Sequence, residues 1–310
     1  MTVAITLCTR GRPQMLARCL ASLPAAIARV EEPVFVVVVE NSPDAQARAT
    51  VEGFADQLDV IYAQEEEPGI PFARNRAVEM ALARGCAWLI FIDDDEWVAQ
   101  DWLEQMLAGR SAYPQADVLT GPVLRDYPET APDWLPRSGH DGVATGTSLQ
   151  AAATNNTAVA SHVFSADGLG LRFEEKMRYT GGSDTEIFLR VTRQGGQVIW
   201  IAEAQVFEEY PDNRSTLGWH IARNIRRGSA GVMIERLHER PVLPYVVPRI
   251  GHCLYLTFGR LAQALVLFIP KRRRGRAQAM KAVLSAASAW GYLRGLFNLR
   301  SEPYRRPDGR

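Results

Sequence analysis

Cysteine is scarce in this 310-residue chain, and its four copies, Cys8, Cys19, Cys86 and Cys253, stand far apart with no CxxC pair. That spacing excludes a zinc ribbon, a dithiol redox centre and a disulfide framework. Three of the four sit in apolar stretches, as reduced core cysteines do. No Gly-x-Gly-x-x-Gly follows the first apolar run, which excludes a dinucleotide-binding dehydrogenase. Residues 9–13 hold a single glycine, whereas a sugar-phosphate nucleotidyltransferase opens with a Gly-rich phosphate loop. Nucleic-acid modules, internal repeats and low-complexity tracts are all missing. The first nine residues have neither a basic n-region nor a long apolar run, so no export signal is expected and the catalytic part is expected in the cytosol.

What the sequence does have is a charge split hidden under a formal net charge of zero. Residues 1–213 carry 16 Lys and Arg against 31 Asp and Glu, and residues 214–310 carry 19 against 4. The first part suits a bound cation and the second an anionic surface, and the split predicts a domain boundary near residue 213.

Along the acidic part, apolar runs alternate with helical patterns. Strands are predicted over 3–8, 34–39, 60–63 and 88–92, and helices over 13–28, 45–58 and 71–84. Continuous apolar strands separated by helices indicate an α/β fold with a mostly parallel central sheet covered on both faces. Ligands of such sheets lie beyond the carboxyl ends of the strands, where Thr9, Glu40 and Asp93 fall. A helix over 102–110 and a strand over 117–124 follow, then a Pro/Gly/Thr-rich loop region over 126–147. Regular structure is expected again over 152–159, with a helix at 183–194, a strand at 198–202 and a basic helix from 215 to about 237.

Residues 250–269 are mostly apolar but interrupted by His252 and Arg260, and Lys271-Arg272-Arg273-Arg274 and the mixed segment 277–297 come next. A spanning helix needs about 20 apolar residues and loses roughly 2.5–3.5 kcal/mol for a central Arg. C-terminal amphipathic helices lying in the headgroup region of an anionic membrane therefore fit better than a span. A soluble helical subdomain is the alternative.

The most informative cluster is Asp93-Asp94-Asp95-Glu96, four carboxylates directly after the apolar run 88–92. Their mutual repulsion invites a hard divalent cation, Mn2+ or Mg2+, with diphosphate oxygens completing its shell. On an extended segment Asp93 and Asp95 point to one side and Asp94 to the other. The plainer alternative is an acidic turn capping the next helix.

Several separated motifs resemble the family-2 inverting glycosyltransferases of the GT-A fold. Thr9-Arg10-Gly11-Arg12 and Glu40-Asn41-Ser42 follow the first two strands. Pro68-Gly69 through Ala73-Arg74-Asn75 resembles the family's Gly and Ala-Arg-Asn signature. Asp93-Asp94-Asp95 corresponds to its DxD motif, and Gly181-Gly182-Ser183-Asp184-Thr185-Glu186 to its Gly-Glu-Asp-x-Glu motif. Glu40 replaces a more common Asp, and Ser183 replaces an acidic residue. Phe91 to Trp97 and Phe207-Glu208-Glu209-Tyr210-Pro211 resemble the succinoglycan-type exopolysaccharide glucosyltransferases.

The resemblance implies a GT-A catalytic domain over 1–213, with a nucleotide-sugar half to about 125 and an acceptor half from 126, followed by a basic, membrane-associated helical region over 214–310. Asp184 is the implied general base, with helix capping as the alternative role. Thr9, Arg10, Glu40, Arg74 and Asp93 are implied around the donor nucleotide. Asp93 and Asp95 would hold the metal, and Glu208 is a further metal-side candidate or else a surface carboxylate. Asn155 and Asn156 could hold sugar hydroxyls or form an Asx turn. Trp219, His220, Arg223, Arg226 and Arg227 form a basic helix face for a phosphate or for anionic lipid.

The expected reaction is inverting transfer of a sugar, glucose by resemblance, from a UDP-sugar to a lipid-linked saccharide at the cytoplasmic face of the cell membrane, without nucleic acid. The rivals are a non-catalytic sugar- or lipid-binding scaffold and transfer to a polyprenyl phosphate.

Overall fold

A computed structural model describes residues 1–135, 142–269 and 271–299. Part of the expected loop region, 136–141, and the end of the basic region lie outside the described residues. Strands β1 (Val3–Thr9), β2 (Val34–Glu40), β3 (Val60–Gln64) and β4 (Trp88–Asp93) alternate with helices α1 (Pro13–Ile27), α2 (Arg48–Glu52) and α3 (Ile70–Ala83). β3-β2-β1-β4 are mutually parallel. Their alternate residues enter two separate cores, as the two-residue strand period requires. Ile5, Val36, Val38 and Ile90 meet α1 on one face, while Phe35, Val37, Leu89 and Phe91 meet Ala73, Ala77 and Val78 of α3 on the other. All four cysteines are free.

The second half of the sheet is mixed. β5 (Glu96–Val98), α4 (Trp102–Ala112), β6 (Val118–Thr120), β7 (Val123–Asp126), β8 (Ser148–Leu149), β9 (Thr157–Ala160), α5 (Ser183–Arg193), β10 (Val198–Trp200) and β11 (Val206–Glu209) follow in order. The main sheet runs β3-β2-β1-β4-β9-β6-β10-β8, with β9 antiparallel to both β4 and β6. β5, β11 and β7 form a small sheet beside the cleft.

The structure departs from the sequence pattern at two elements. The strand expected over 117–124 is two strands in different sheets, because Gly121-Pro122 breaks it: Pro122 has no N–H to donate, and a side chain at Gly121 would strike the Ala204 carbonyl oxygen. The helix expected over 45–58 shrinks to α2, and tight turns through Gly53, Phe54 and Gln57 end it.

Three helices complete the described residues: α6 (Leu217–Leu237), α7 (Val242–Phe268) and α8 (Arg272–Leu296). α7 starts eight residues before the expected apolar run and contains Pro248, and α8 takes the basic run into its first turn. α6 is tied to α5 by an ion pair from Glu235 to Arg193 (2.6 Å), and His238 at its C-terminal end bonds Glu186 (2.7 Å). α8 packs on α6 so closely that a side chain at Gly291 would meet the Ile225 carbonyl oxygen, and α7 packs on α8 as the outermost layer.

Candidate active site

Three strand ends converge on one cleft. The registers pair Thr9 with Glu40 and Cys8 with Asp93, which lines up the carboxyl ends of β1, β2 and β4. In a doubly wound sheet this crevice is where a nucleotide sits.

The four carboxylates form a turn from β4 into β5, and each has a different setting. Asp94 turns inward, where it accepts from Thr9 Oγ1 (2.7 Å) and pairs with Arg12 (3.3 Å). Burial pushes its pKa up to about 6 against the pull of Arg12 and the Thr9 hydroxyl. Glu96 is buried and accepts the Asp93 backbone N–H (2.8 Å). Burial and then the charge of Asp93 hold its pKa well above the ordinary carboxylate range. Asp95 faces Arg12 (3.3 Å) and Arg214 (3.9 Å). Asp93 faces Arg74 (3.8 Å), and its pKa rises to about 7, by enclosure first and then through Asp95, Asp94 and Glu208, with Arg74 opposing.

Arg74 is the bridge across the cleft. Its guanidinium stands 3.8 Å from Asp93 Oδ1 and 3.5 Å from Ser183 Oγ, over the Phe173 ring at 5.6 Å. Ser183 is the first residue of α5 and Asp184 the next, so the start of α5 lies one side chain from the β4 carboxylates. Gly181 and Gly182 have φ of 74° and 88°, a left-handed turn that favours glycine and aims the helix at the cleft. Asp184 is half-buried, and its Oδ1 accepts the Thr185 N–H (2.7 Å). The helix cap itself is Gly182.

Glu40 has no exposed surface. It accepts from Ser42 Oγ (2.7 Å), the Ala47 N–H (2.9 Å) and Tyr62 OH (2.8 Å), so it holds the turn after β2 and does not open to the cleft. Burial and the bond to Glu40 push Tyr62 up to about 12. Asn41 is the neighbour that reaches across: it accepts the Gly69 N–H (2.7 Å) and donates to the carbonyls of Glu65 and Glu67. Thr9 is buried under Asp94, and Arg10 lies half-buried at the end of β1.

Glu208 is also buried, with Arg125 at 3.0 Å and Arg214 at 2.8 Å on its two oxygens. Arg223 of α6 stands beside this pair, over the Trp219 ring at 5.1 Å, and burial followed by repulsion from Arg227 and Arg125 lowers it to about 10. His220 is buried against Tyr210 OH (3.1 Å), and burial and Arg223 hold its pKa below the ordinary value. Asn156 is a fully buried staple. Its side chain accepts from Trp102 Nε1 and donates to the carbonyls of Pro122 and Ala204, which leaves nothing for a sugar. Asn155 is half-buried.

Arg214 is absent from the site expected from sequence, and Glu96 enters it only as the fourth member of the acidic run. Arg214 stands five residues past β11 among ordinary turn residues and gives no signal. Glu96 was legible as the fourth carboxylate of an acidic run, since a residue that begins the next strand must point into one of its faces.

A model of glycosyl transferase family 2 matches residues 2–169, more than half of the chain. The chain belongs to glycosyl transferase family 2. Over 96% of its length this family 2 chain is 31% identical to Succinoglycan biosynthesis protein ExoM of Rhizobium meliloti (strain 1021), of which 94% is covered. It is 21% identical to the Glucosyl-dolichyl phosphate glucuronosyltransferase of Haloferax volcanii, with 96% of each chain covered. Among solved structures, the mannosyltransferase PcManGT from Pyrobaculum calidifontis, in complex with GDP-Man and Mn2+, shares the fold with a TM-score of 0.60, at 17% identity over 96% of this chain and 87% of that one. The GT-A architecture expected from the motifs is therefore the fold of this chain.

Proposed function

We propose that this family 2 glycosyltransferase moves glucose from a UDP-sugar to a lipid-linked saccharide during polysaccharide assembly, with inversion at the anomeric carbon. The observation that carries this reading is the Arg74 bridge, which sets the start of α5 beside the Asp93 carboxylate at the strand ends. Residues 1–213 would form the transferase unit and 214–310 the membrane-facing one. The ExoM likeness supports polysaccharide assembly, and the dolichyl phosphate in the Haloferax relative's name supports a lipid-linked acceptor.

In this reading Asp184 accepts the proton of the acceptor hydroxyl as that oxygen attacks the anomeric carbon, and the nucleoside diphosphate leaves from the opposite face. One displacement without a covalent sugar intermediate turns an α-linked donor into a β-linked product. Arg12 and Arg214, which already face Asp95, lie where they can meet the diphosphate. Thr9 and Arg10 border the nucleotide at the end of β1, while Glu40 shapes its pocket from beneath through Tyr62 and the 42–47 turn.

The donor set fits a divalent ion. Asp93 has its pKa raised first by burial and then by neighbouring carboxylates, whose repulsion a cation relieves, and Asp93 and Asp95 flank a turn that opens to the cleft. Mn2+ or Mg2+ held by them would offset the charge that develops on the departing diphosphate. Among the described residues no three His, Cys, Asp or Glu side chains gather to hold a metal unaided, so diphosphate oxygens would complete its shell. Glu208 spends both oxygens on Arg125 and Arg214 and enters as the holder of those cations.

The test is UDP release from UDP-glucose with membrane-lipid extract as acceptor, in Mn2+ and then in excess chelator. Release should depend on both the extract and the metal. Undiminished release in chelator contradicts the metal role, and no release with any nucleotide sugar favours a binding scaffold.

A further inference from the structure

α7 presents to the outside a face that a soluble protein does not leave bare. Val247, Leu254, Phe258, Leu261, Leu265 and Phe268 recur at spacings of three, four and seven residues and are all exposed, Phe258 by 67% and Leu265 by 78%. That is one continuous stripe along the helix. A neighbouring stripe, Val246, Cys253, Thr257, Arg260 and Ala264, about a quarter turn around the helix, is buried or half-buried, with Arg260 reaching α8 by donating to the Lys281 carbonyl (3.0 Å) and to Ser285 Oγ.

By length and composition α7 could cross a bilayer, with a mean hydropathy of 1.3 over its most apolar window. Its packing argues against crossing. The turn into α8 is so tight that a side chain at Gly275 would meet the backbone of Phe268, and Arg260 meets Lys281 and Ser285 further along. α8 thus runs back beside α7, and a crossing α7 would carry Arg276 and Lys281 of α8 into hydrocarbon, where charged side chains are costly. Charge complementarity identifies the occupant of the bare face. Lys271, Arg272, Arg273 and Arg274 are exposed at the end of the stripe, and Arg249 is exposed near its start. Apolar side chains flanked by cations match an acyl-chain boundary under anionic headgroups.

We propose that α7 docks in the plane of an anionic bilayer, its outer stripe sunk to the base of the headgroups and α8 above it, without crossing. This extends the lipid-linked acceptor reading above, but its readout is lipid binding alone, so it stands or fails separately from sugar transfer. The purified full chain is floated with vesicles of phosphatidylcholine containing phosphatidylglycerol, and with phosphatidylcholine alone. A fluorophore placed singly at Val247, Phe258 or Leu265 reports depth through lipids spin-labelled at shallow or deep carbons. Binding should be about tenfold stronger to the anionic vesicles and weaken with salt. It should be lost in Phe258→Glu/Leu265→Glu, whose exposed positions spare the fold, with retained folding checked by circular dichroism. All three fluorophores should be quenched best by the shallow label. Deep quenching at 258 with shallow quenching at 247 and 265 shows a span and overturns the proposal. So does an unbound chain that light scattering shows to be a dimer, or equal binding by the double variant.

Discussion

Asp93, Asp94 and Asp95 differ in their partners: Arg74 faces the first, Thr9 and Arg12 the second, and Arg214, with the same Arg12, the third. Their substitutions should therefore separate. Asp95→Asn keeps the shape of the turn and removes charge from the cleft, so sugar transfer should fall by about 10²- to 10³-fold, the size of one lost electrostatic stabiliser, with the melting temperature little changed. Glu40→Gln should behave in the reverse way. Three donors converge on that buried carboxylate, and an amide accepts from only part of them, so stability should fall by about 1–3 kcal/mol in denaturant titration. The spacing of the aspartates was legible in the sequence. That Glu40 is spent inside the fold was not, because its partners Ala47 and Tyr62 come from two other segments.

Between elements, the tie that matters is the one holding α5 to α6. Glu186 is buried and bonds both Arg190 and His238, and Arg193 and Glu235 form a second bridge between the same helices. Glu186→Ala removes the buried carboxylate that pairs with Arg190 and bonds His238, and should cost roughly 3–5 kcal/mol, as removal of one member of a buried pair does, with loss of transfer because Asp184 rides on the same helix. His220 of α6 makes a pH prediction. Its folded pKa lies below the ordinary 6.5, so the neutral form is favoured in the fold; stability is full above that value and declines as pH falls through the folded pKa. Melting temperatures followed downward from pH 7 should show this slope, and His220→Phe should flatten it. Helix and strand periods located α1, α3, α5 and the parallel strands from sequence. They failed at 117–124, where one apolar run serves two sheets across Pro122, and at the start of α7, which takes in Pro244 and Pro248 ahead of the apolar run.

For the whole molecule, the charge split has a structural counterpart. The acidic part builds the sheet and most of the cleft, to which the basic part adds Arg214 before it stacks as α6, α8 and α7 outward from it. This order places the apolar stripe two helices away from the tie to α5, so loss of membrane binding should reduce turnover on a lipid-embedded acceptor while leaving hydrolysis of the donor by water unchanged. Parallel assays of the two reactions on Phe258→Glu/Leu265→Glu check this, and an equal fall in both contradicts it. Sequence composition located the basic third. It could not show which helix faces outward, because that depends on the α8 packing that buries Arg260.

The central claim is that Asp184 and the Asp93–Asp95 turn act on one bound nucleotide sugar. Its most direct test is Asp184→Asn, measured for UDP affinity by calorimetry and for transfer to the lipid acceptor at saturating donor. The account predicts unchanged UDP affinity with transfer reduced by about 10²-fold or more. Transfer at the wild-type rate contradicts it.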